Sequence, residues 1–371
     1  MTISNVKRIL VVKLADLGDV LICEPAIRSL RLAYPSSDID VLVTPSSSSV
    51  VELIGHGTCA IQFPKDVFDS PVAFADSRNT LRAFNLAHQL RSHSYDLIVI
   101  LHHLTTTAGA AKFRALCLAT GAAASAGLDN GRGTFLTHRV TDRGFGAQHE
   151  TGYMLAVARA AGGVATDPAP RISVPTLMPS FDLPEQYVCV YPATGPFSSA
   201  RAWPASRYAE VARSLSDQGV SVVIVGATDA AEAAHVIHQV APDAIDVTGQ
   251  TSLEELTMVV NGAAAVIGGD SFIGHLAAAL DRPAVSIFGP SNVDAWMPFG
   301  SVEWNDGRAM NQRRIAVRHP LPCAPCIYSG YSLGRPHGCP TRTCLTMVTV
   351  ESVVAATRQV LEADRSWETG K

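Results

Sequence analysis

Short apolar segments alternate along the chain with segments whose apolar residues recur at helical spacing. A β-branched run at 8–14 is followed by a turn at 15–19, a segment of helical periodicity at 20–33 and a second apolar run at 39–43. A β–turn–α–β succession of this kind builds parallel sheets with crossover helices. The pattern therefore predicts that the chain begins with a doubly wound α/β domain.

The alternation restarts after a segment that contains several prolines. Prolines at 175, 179 and 184 mark a linker over 174–185, and a new strand is predicted at 187–191. Helices and strands then alternate again towards the C-terminus. Two domains, 1–175 and 176–371, with the same β/α rhythm indicate an enzyme whose ligand binds in a cleft between them.

The stretch 266–290 carries the first candidate site. An apolar strand stops at two glycines, Asp270 and Ser271 follow, and an alanine-rich helix leads to a second apolar strand at 284–288. The N-terminus of such a helix suits a phosphate group, and Ser271 can cap it. Asp270 and His275 add groups that can contact a sugar or a leaving group. An ordinary β–loop–α unit is the alternative interpretation.

The turn after the first strand holds a candidate catalytic base. Asp19 follows Gly18 where the carboxyl end of the strand meets a helix. The helix dipole stabilises a carboxylate there, and the position faces the usual ligand crevice of a parallel sheet. Asp19 is therefore placed to deprotonate an incoming hydroxyl group. Two alternatives stay open: Asp19 serves only as a helix N-cap, or Asp16 is the base.

The first strand of the second domain is followed by a candidate diphosphate site. Small and hydroxyl-bearing residues, among them Thr194, fill the segment 193–200, and Arg201 supplies a cation. A loop of this composition beside an arginine can cradle a pyrophosphate. A plain connecting loop is the alternative.

Three motifs follow one another in a fixed order over most of the chain. The first is Ile-Leu-Val-Val-Lys at 9–13 with Leu-Gly-Asp-Val-Leu at 17–21, and the second is Arg-Ala-Trp-Pro at 201–204. The third begins with Asp-Ser at 270–271 and ends with Phe-Gly-Pro at 288–290. Together they resemble the motifs of glycosyltransferase family 9, the ADP-heptose:lipopolysaccharide heptosyltransferases.

The resemblance implies a GT-B fold, in which two Rossmann-like parallel-sheet domains face a cleft. The first domain would bind the acceptor and the second the nucleotide sugar. The implied activity is transfer of heptose from ADP-heptose to an acceptor hydroxyl, with inversion at the anomeric carbon and no cofactor in catalysis. The acceptor stays open among a lipopolysaccharide core sugar or other glycan, a lipid-linked acceptor, a protein serine and a small metabolite.

The resemblance also implies a role for individual residues. Asp19 would be the base, Thr194 and Arg201 would hold the diphosphate of the donor, and Asp270 and Ser271 would contact the heptose hydroxyls and a phosphate. Thr251 lies near the adenine-contacting position of the family, and Asp229 or Glu232 could bind the ribose. The remaining members of the predicted donor site are Gly18, Gly274 and His275.

The chain departs from the family pattern at three positions. Phe272 stands where the family's Asp-Thr-Gly has glycine, which puts close backbone approach to a phosphate in question. Arg201 replaces a lysine, so the charge is kept while the geometry changes. Asp16 stands where serine is more common, and two carboxylates therefore compete for the role of base.

Four of the eight cysteines are clustered. Cys323 and Cys326 form one tight knuckle, and Cys339 and Cys344 follow within the segment 323–344. Four thiolates at such spacing can enclose a tetrahedral metal ion with no open position, which predicts structural zinc or iron. Zinc is favoured on general grounds and iron is possible. The chain also resembles the autotransporter heptosyltransferases in carrying four cysteines, which hold iron in those proteins, and this resemblance strengthens the case for iron. Reduced cysteines without a metal are the alternative.

Composition and charge narrow the class of protein. Apolar residues make up 47% and charged residues 17% of the chain, which excludes a disordered protein, and no apolar run reaches the roughly 18–20 residues that span a bilayer. We expect a cytoplasmic protein. The segment 307–350 contains six arginines and no Asp or Glu in a chain of net charge −4, which predicts an anionic partner such as a nucleotide phosphate or the inner membrane face. A solvated basic face is the alternative. Nucleic acid is disfavoured because the segment has few aromatic residues.

Two other functions are compatible with these features. One is a GT-B-like nucleotide-sugar epimerase or hydrolase that lacks a transfer acceptor, and the other is a non-catalytic nucleotide-sugar binding module. Detection of a transferred sugar, rather than a free sugar or an epimer, separates the first from a glycosyltransferase. A complete lack of turnover would favour the second.

Overall fold

The chain forms two compact units. The computed structural model describes residues 5–68, 76–176, 180–304 and 312–364. Unit 1 comprises Met1–Pro170 and Gly330–Ser332, and unit 2 comprises Arg171–Ser329 and Leu333–Lys371. The sequence predicts the boundary at 175/176, whereas the contacts change from one unit to the other at Pro170/Arg171.

Unit 1 is a parallel sheet with helices between its strands. Its described strands are β1 (Arg8–Lys13), β2 (Asp38–Val43), β3 (Thr58–Gln62), β4 (Leu97–Ile100), β5 (Ala124–Asp129) and β6 (His138–Thr141). Its described helices are α1 (Leu17–Leu21), α2 (Glu24–Ala33), α3 (Ser48–Ile54), α4 (Lys65–Phe68), α5 (Ser77–Ser92), α6 (Thr107–Thr120) and α7 (Glu150–Ala160).

The strand order of unit 1 fixes where a ligand can bind. The order is β3-β2-β1-β4-β5-β6, and every neighbouring pair is parallel. From β1 the chain adds β2 and β3 on one side of the sheet, and then β4 to β6 on the other side. Between β1 and β4, where the order changes direction, a crevice opens at the carboxyl ends of the strands. The apolar residues of β1 are fully buried, as expected for a strand covered on both faces. The loop after β1 therefore leaves the centre of the sheet directly into that crevice.

The predicted helix over 20–33 is divided in two. Helix α1 ends at Leu21 and α2 begins at Glu24, with Pro25 in the first turn of α2. Proline lacks an N–H group, and its ring would clash with the carbonyl group four residues earlier, that of Leu21. The prediction of one continuous helix is wrong for this reason.

Unit 2 repeats the parallel α/β architecture. Its described sheet strands are β7 (Tyr187–Tyr191), β8 (Ser221–Ile224), β9 (Ile245–Asp246), β10 (Ala265–Gly269), β11 (Ala284–Phe288), β12 (Val302–Glu303) and β13 (Arg314–Arg318); two short strands follow, β14 (Ile327–Ser329) and β15 (Ser332–Gly334). Its described helices are α8 (Ala205–Ser216), α9 (Ala231–Val240), α10 (Leu253–Gly262), α11 (Phe272–Ala279), α12 (Val293–Trp296), α13 (Thr343–Thr346) and α14 (Val350–Ala363).

In the sheet of unit 2, too, the order in which strands are added changes direction near the centre. Its order is β12-β13-β11-β10-β7-β8-β9, again with parallel neighbours. Strands β7 and β10 are adjacent and flank the reversal, so the loops that follow them leave the sheet side by side. These are the two loops that the sequence marks as candidate donor sites. The predicted class, two parallel-sheet α/β domains, is confirmed.

Acids from outside the acid-free segment 307–350 pair with three of its arginines. Arg313 and Arg314 both pair with Asp281, at 2.8 and 2.9 Å, and Arg318 forms two hydrogen bonds to Glu303. Asp281 and Glu303, which lie outside the segment, thus offset part of the charge of three of its arginines, while Arg335 is exposed. An anionic partner at this segment stays a prediction. Arg308 lies outside the described residues. None of the helices in the described ranges combines the length and the hydrophobicity needed to cross a bilayer.

Two leucines of unit 1 test how much burial in its core contributes to the free energy of unfolding. Leu10 in β1 is fully buried, whereas Leu32 in α2 is 59% exposed. Leu10→Ala is expected to lower the free energy of unfolding by about 2–5 kcal/mol, because it removes buried contacts and leaves a cavity. Leu32→Ala is the matched control and should change it by less than about 0.5 kcal/mol. Urea denaturation followed by circular dichroism measures both, and equal effects would contradict the assignment of β1 to the core.

Candidate active site

In unit 1, Asp19 lies just beyond the carboxyl end of the central strand. It belongs to α1, and its carboxylate Oδ1 is 3.5 Å from the ammonium Nζ of Lys13, the last residue of β1. Lys13 is buried, and its Nζ also donates a hydrogen bond to the carbonyl oxygen of Leu101 at 3.1 Å. A buried ammonium group requires such partners, and it fixes Asp19 at the edge of the sheet.

The surroundings of Asp19 make it a stronger base than an ordinary carboxylate. Burial raises the pKa of Asp19, the nearby carboxylates of Asp16 and Glu150 raise it further, and Lys13 lowers it, with a net value of about 6. The side chain still keeps 24% of its surface exposed, so a hydroxyl group can reach it. A pKa of about 6 leaves most of the carboxylate ionised at neutral pH while increasing its affinity for a proton.

The structure separates the two competing carboxylates. Asp16 is exposed and precedes α1, where its carbonyl oxygen accepts a hydrogen bond from Val20. Asp19 is partly buried and paired with Lys13, whereas the ion pairs of the described chain do not include Asp16. The geometry therefore favours Asp19 over Asp16 for the chemistry of a base, and it argues against Asp19 as a simple N-cap because Asp19 lies inside the helix.

A buried histidine bridges two acids in the same unit, although no sequence motif marks it. His103 Nδ1 lies 3.0 Å from Asp142 Oδ1, and His103 Nε2 lies 3.1 Å from Glu150 Oε1. Burial lowers the pKa of His103, but the hydrogen bonds and charges of Asp142 and Glu150 outweigh burial and raise it to about 9. His103 therefore carries a positive charge at neutral pH and balances Glu150, one of the acids that acts on Asp19.

In unit 2, Arg201 joins the loops that follow β7 and β10. Its Nη2 donates a hydrogen bond to the carbonyl oxygen of Thr194 at 2.8 Å, and its Nη1 donates one to the carbonyl oxygen of Asp270 at 3.0 Å. The same Nη1 lies 3.4 Å from the Asp270 carboxylate, and both side chains are about nine-tenths buried. Sequence reasoning marks these residues separately, and the structure brings Thr194, Arg201 and Asp270 together.

The loop after β10 leads into a helix whose N-terminus can receive an anion. Ser271 precedes α11, and its hydroxyl group donates to the carbonyl oxygen of Gly269 at 3.3 Å instead of capping the helix. The first N–H groups of α11 are therefore not covered by this side chain, which suits phosphate. Phe272 is the first residue of α11 and lies in ordinary helical backbone. The missing glycine of the family pattern is thus no conformational obstacle.

Two further predicted donor residues lie within α11. A Cβ atom on Gly274 would be 2.7 Å from Ser286 Oγ and 2.7 Å from Pro298 Cγ, so close packing already requires glycine there. His275 is buried in the same helix. The structure gives Gly274 a packing role that needs no donor.

The other predicted donor residues are spread over both units. Asp229 and Glu232 are exposed after β8, and Thr251 is half-buried after β9, at the edge of the sheet where β7 also ends. Asp229 lies near the end of β7, since burial and then this carboxylate raise the pKa of Tyr191 to about 12. Gly18 is buried in α1 of unit 1, so it is not among the donor residues that unit 2 gathers.

An aromatic group beside Arg201 is not predicted from the sequence. The guanidinium carbon of Arg201 lies 5.5 Å from the ring centre of Phe197, which stacks on Tyr328 at 5.5 Å. Tyr328 contacts Trp296 in turn, at 5.1 Å. Flat apolar surface next to a cation is suited to a ring or a sugar face. A sequence signal is lacking because the three aromatics come from separate segments: Phe197 from the loop after β7, Trp296 from α12 and Tyr328 from β14.

The four clustered cysteines line one cavity of about 170 Å³ in unit 2. Cys344 is buried, Cys326 and Cys339 are half-buried, and Cys323 is exposed. Across the described ranges, no three His, Cys, Asp or Glu side chains are arranged closely enough to hold a metal ion. The chain thus gathers the thiols without closing them into a coordination site.

Comparisons with known proteins agree with this architecture. The lipopolysaccharide heptosyltransferase 2 of Escherichia coli K12 is 26% identical over 311 residues, which cover 78% of this chain and 85% of that protein. The E. coli heptosyltransferase WaaC, solved with ADP-2-deoxy-2-fluoro heptose, superposes with a TM-score of 0.68 at 20% identity and covers 96% of this chain and 99% of its own.

A third protein of similar fold contains iron. The dodecameric glycosyltransferase TibC of enterotoxigenic E. coli superposes with a TM-score of 0.54 at 15% identity, over 98% of this chain and 78% of its own. At such identities the two structures show a shared fold, the GT-B class. The family model of glycosyltransferase family 9 (heptosyltransferase) matches residues 83–334, about two thirds of the chain. The protein is therefore a glycosyltransferase and belongs to glycosyltransferase family 9, the heptosyltransferase family.

Proposed function

We propose that the protein transfers heptose from ADP-heptose to an acceptor hydroxyl group with inversion, and that Asp19 is the base. The observation that carries the proposal is the position of Asp19, held by Lys13 at the carboxyl end of the central strand with a pKa of about 6. Inversion requires one displacement at the anomeric carbon, in which the acceptor oxygen forms the new bond as the bond to ADP breaks. Asp19 accepts the proton of the acceptor hydroxyl in that step.

The donor half of the proposal rests on unit 2. Arg201 holds the loops after β7 and β10 together, and it places Asp270 beside the N-terminus of α11. We assign the diphosphate to these helix amides, to Thr194 and to Arg201, since cationic and N–H donors stabilise the charge that develops on departing ADP. Asp270 accepts hydrogen bonds from the heptose hydroxyl groups, and Asp229, Glu232 and Thr251 lie on the same sheet edge for the nucleoside.

The names of the relatives support a proposal for the acceptor and the location. The relatives are named lipopolysaccharide heptosyltransferases, and WaaC was solved with an ADP-heptose analogue. We therefore propose a lipopolysaccharide core sugar as the acceptor and the cytoplasm as the site of action. A protein or metabolite acceptor has no support from these relatives.

Substitution of the two carboxylates tests the base. Asp19→Asn is expected to lower kcat/KM for heptose transfer by about 10²–10⁴-fold, because the general base is lost. Asp16→Asn is the matched control on the same turn and should retain activity within about threefold. The assay follows ADP release and the glycosylated acceptor together, so that hydrolysis to free heptose is recognised. Equal losses in both variants would contradict the assignment.

The pH profile provides a separate test of the same residue. A base must be deprotonated to act, so kcat/KM of the wild-type enzyme should fall as the pH is lowered through about 6, by about tenfold for each further pH unit. Lys13→Met removes the charge that lowers this pKa and should move the fall to higher pH. A profile that is flat across pH 6 would show that Asp19 does not control the rate.

Donor specificity is testable without an acceptor. ADP-heptose at 100 times its Kd should stabilise the protein by about 2.7 kcal/mol, whereas UDP- and GDP-sugars should have little effect in a thermal shift assay. Arg201→Gln is expected to weaken ADP-heptose binding at least tenfold, because it removes the link between the two donor loops. Arg213→Gln, an exposed arginine of α8, is the control. Equal stabilisation by every nucleotide sugar would contradict the proposed donor.

We also propose that the four clustered cysteines bind a structural metal ion, with iron favoured over zinc. Support comes from the common cavity that Cys323, Cys326, Cys339 and Cys344 line and from TibC, an iron-containing glycosyltransferase of the same fold. Four thiolates complete a tetrahedral site without an open position, so the ion would stabilise the fold and take no part in transfer.

Metal analysis of the purified protein tests this site. About one iron or zinc per chain is expected, and Cys339→Ser with Cys344→Ser should abolish it and lower the Tm. Cys59→Ser, an exposed cysteine of β3, is the control and should leave the metal content unchanged. A metal content below about 0.1 per chain, with all four thiols free to titrate, would contradict the proposal.

A further inference from the structure

Helices α5 and α6 of unit 1 expose an apolar surface that no part of the proposed reaction uses. Leu81 and Phe84 on α5 are 58% and 65% exposed, and Leu118 on α6 is 71% exposed. Leu81 and Phe84 lie three residues apart and so share one side of α5, and α5 and α6 are in contact. Exposed apolar residues that are grouped in this way mark binding surfaces.

A groove runs between the same two helices. It encloses about 220 Å³ and is lined almost entirely by apolar side chains, among them Phe63, Ala83, Ala87, Leu90 and Leu116. Among the described residues that line it, Lys112 carries the charge, and its Nζ lies 5.8 Å from the ring centres of Phe63 and Phe113. The lysine thus places its ammonium group beside aromatic rings at an otherwise apolar groove, and a long lysine side chain can line such a wall with its apolar stem.

The charges of α5 and α6 have one sign. Arg78, Arg82, Arg91, Lys112 and Arg114 lie in the two helices, whose sequences contain no Asp or Glu. Their sum is +5, so in a chain of net charge −4 the remainder carries −9. Asp76 at the start of α5 lies 3.7 Å from Arg78 and offsets part of this charge. The two helices that carry the exposed apolar side chains therefore also carry a net positive charge.

We propose that the α5–α6 surface docks on an anionic lipid bilayer. Leu81, Phe84 and Leu118 would enter the boundary between headgroups and acyl chains, and the five cations would attract the lipid phosphates. A symmetric dimer through this surface is disfavoured, since two surfaces of charge +5 would then face each other. The proposal does not depend on the donor, the acceptor or the base, because none of their residues lies on α5 or α6.

Vesicle sedimentation with the full chain tests the proposal. The wild-type protein should partition at least tenfold more strongly onto phosphatidylcholine–phosphatidylglycerol vesicles than onto phosphatidylcholine vesicles, and added salt should weaken binding. Phe84→Ser with Leu118→Ser should reduce the partition coefficient at least tenfold. Leu32→Ser, at a position of α2 that is 59% exposed, is the matched apolar control and should have no effect.

A second pair of variants tests the charges. Arg91→Gln with Arg114→Gln should lower binding to the anionic vesicles about 30-fold and change binding to neutral vesicles little, since each cation contributes about fivefold. Arg159→Gln with Arg213→Gln is the control. All variants lie at exposed positions, and an unchanged Tm establishes that they fold.

Three results would overturn the proposal. The first is a failure of the test and control variants to differ in vesicle binding, either because the wild-type protein does not bind anionic vesicles or because the control variants lose binding as strongly as the test variants. The second is a dimer in size-exclusion chromatography that the Phe84–Leu118 variant converts to a monomer without any vesicle binding, which would identify a self-interface. The third is full displacement by heparin together with an unaffected Phe84–Leu118 variant, which would identify a general polyanion site.

Discussion

Within each unit, the candidate site residues come together because the carboxyl ends of parallel strands lie along one edge of the sheet. In unit 1, β1 and β4 flank the reversal of chain direction, and in unit 2, β7 and β10 do so. Residues that are far apart in the sequence meet there because the strands before them are neighbours. The bridge from Arg201 to Thr194 and Asp270 is the clearest instance, since one guanidinium group joins loops that begin at adjacent strands.

Much of this can be predicted from the sequence, for a physical reason. A strand buried on both faces is a continuous apolar run, so the predicted bounds of β7 and β11 are those that the structure shows. The loops after β1, β7 and β10 are recognisable because glycine, hydroxyl and charged residues interrupt apolar runs where a helix follows. The division of α1 from α2 is not predicted in spite of Pro25, because a proline in a first turn is also compatible with one longer helix.

Contacts between distant segments cannot be predicted in this way. The bridge from His103 to Asp142 and Glu150 joins three segments whose proximity depends on the order of the strands. The arginines of 307–350 look like a basic surface in the sequence, and only the fold shows that Asp281 and Glu303 pair with three of them. Conversely, the cations of α5 and α6 are unremarkable in the sequence, and their importance emerges from the exposed apolar side chains among them.

The raised pKa of Asp19 has a consequence for the stability of the fold. A shift from 3.8 to about 6 means that the ionised carboxylate is less favourable in the folded chain than in the unfolded chain by about 3 kcal/mol at neutral pH. This penalty is absent at pH values below about 4, where the carboxyl group is protonated in both states, and it is fully present above about 6. On account of this group, the stability of the fold is therefore expected to decrease as the pH rises from about 4 to about 6. The raised pKa of Asp19 thus both strengthens the carboxylate as a base and lowers the stability of the folded chain.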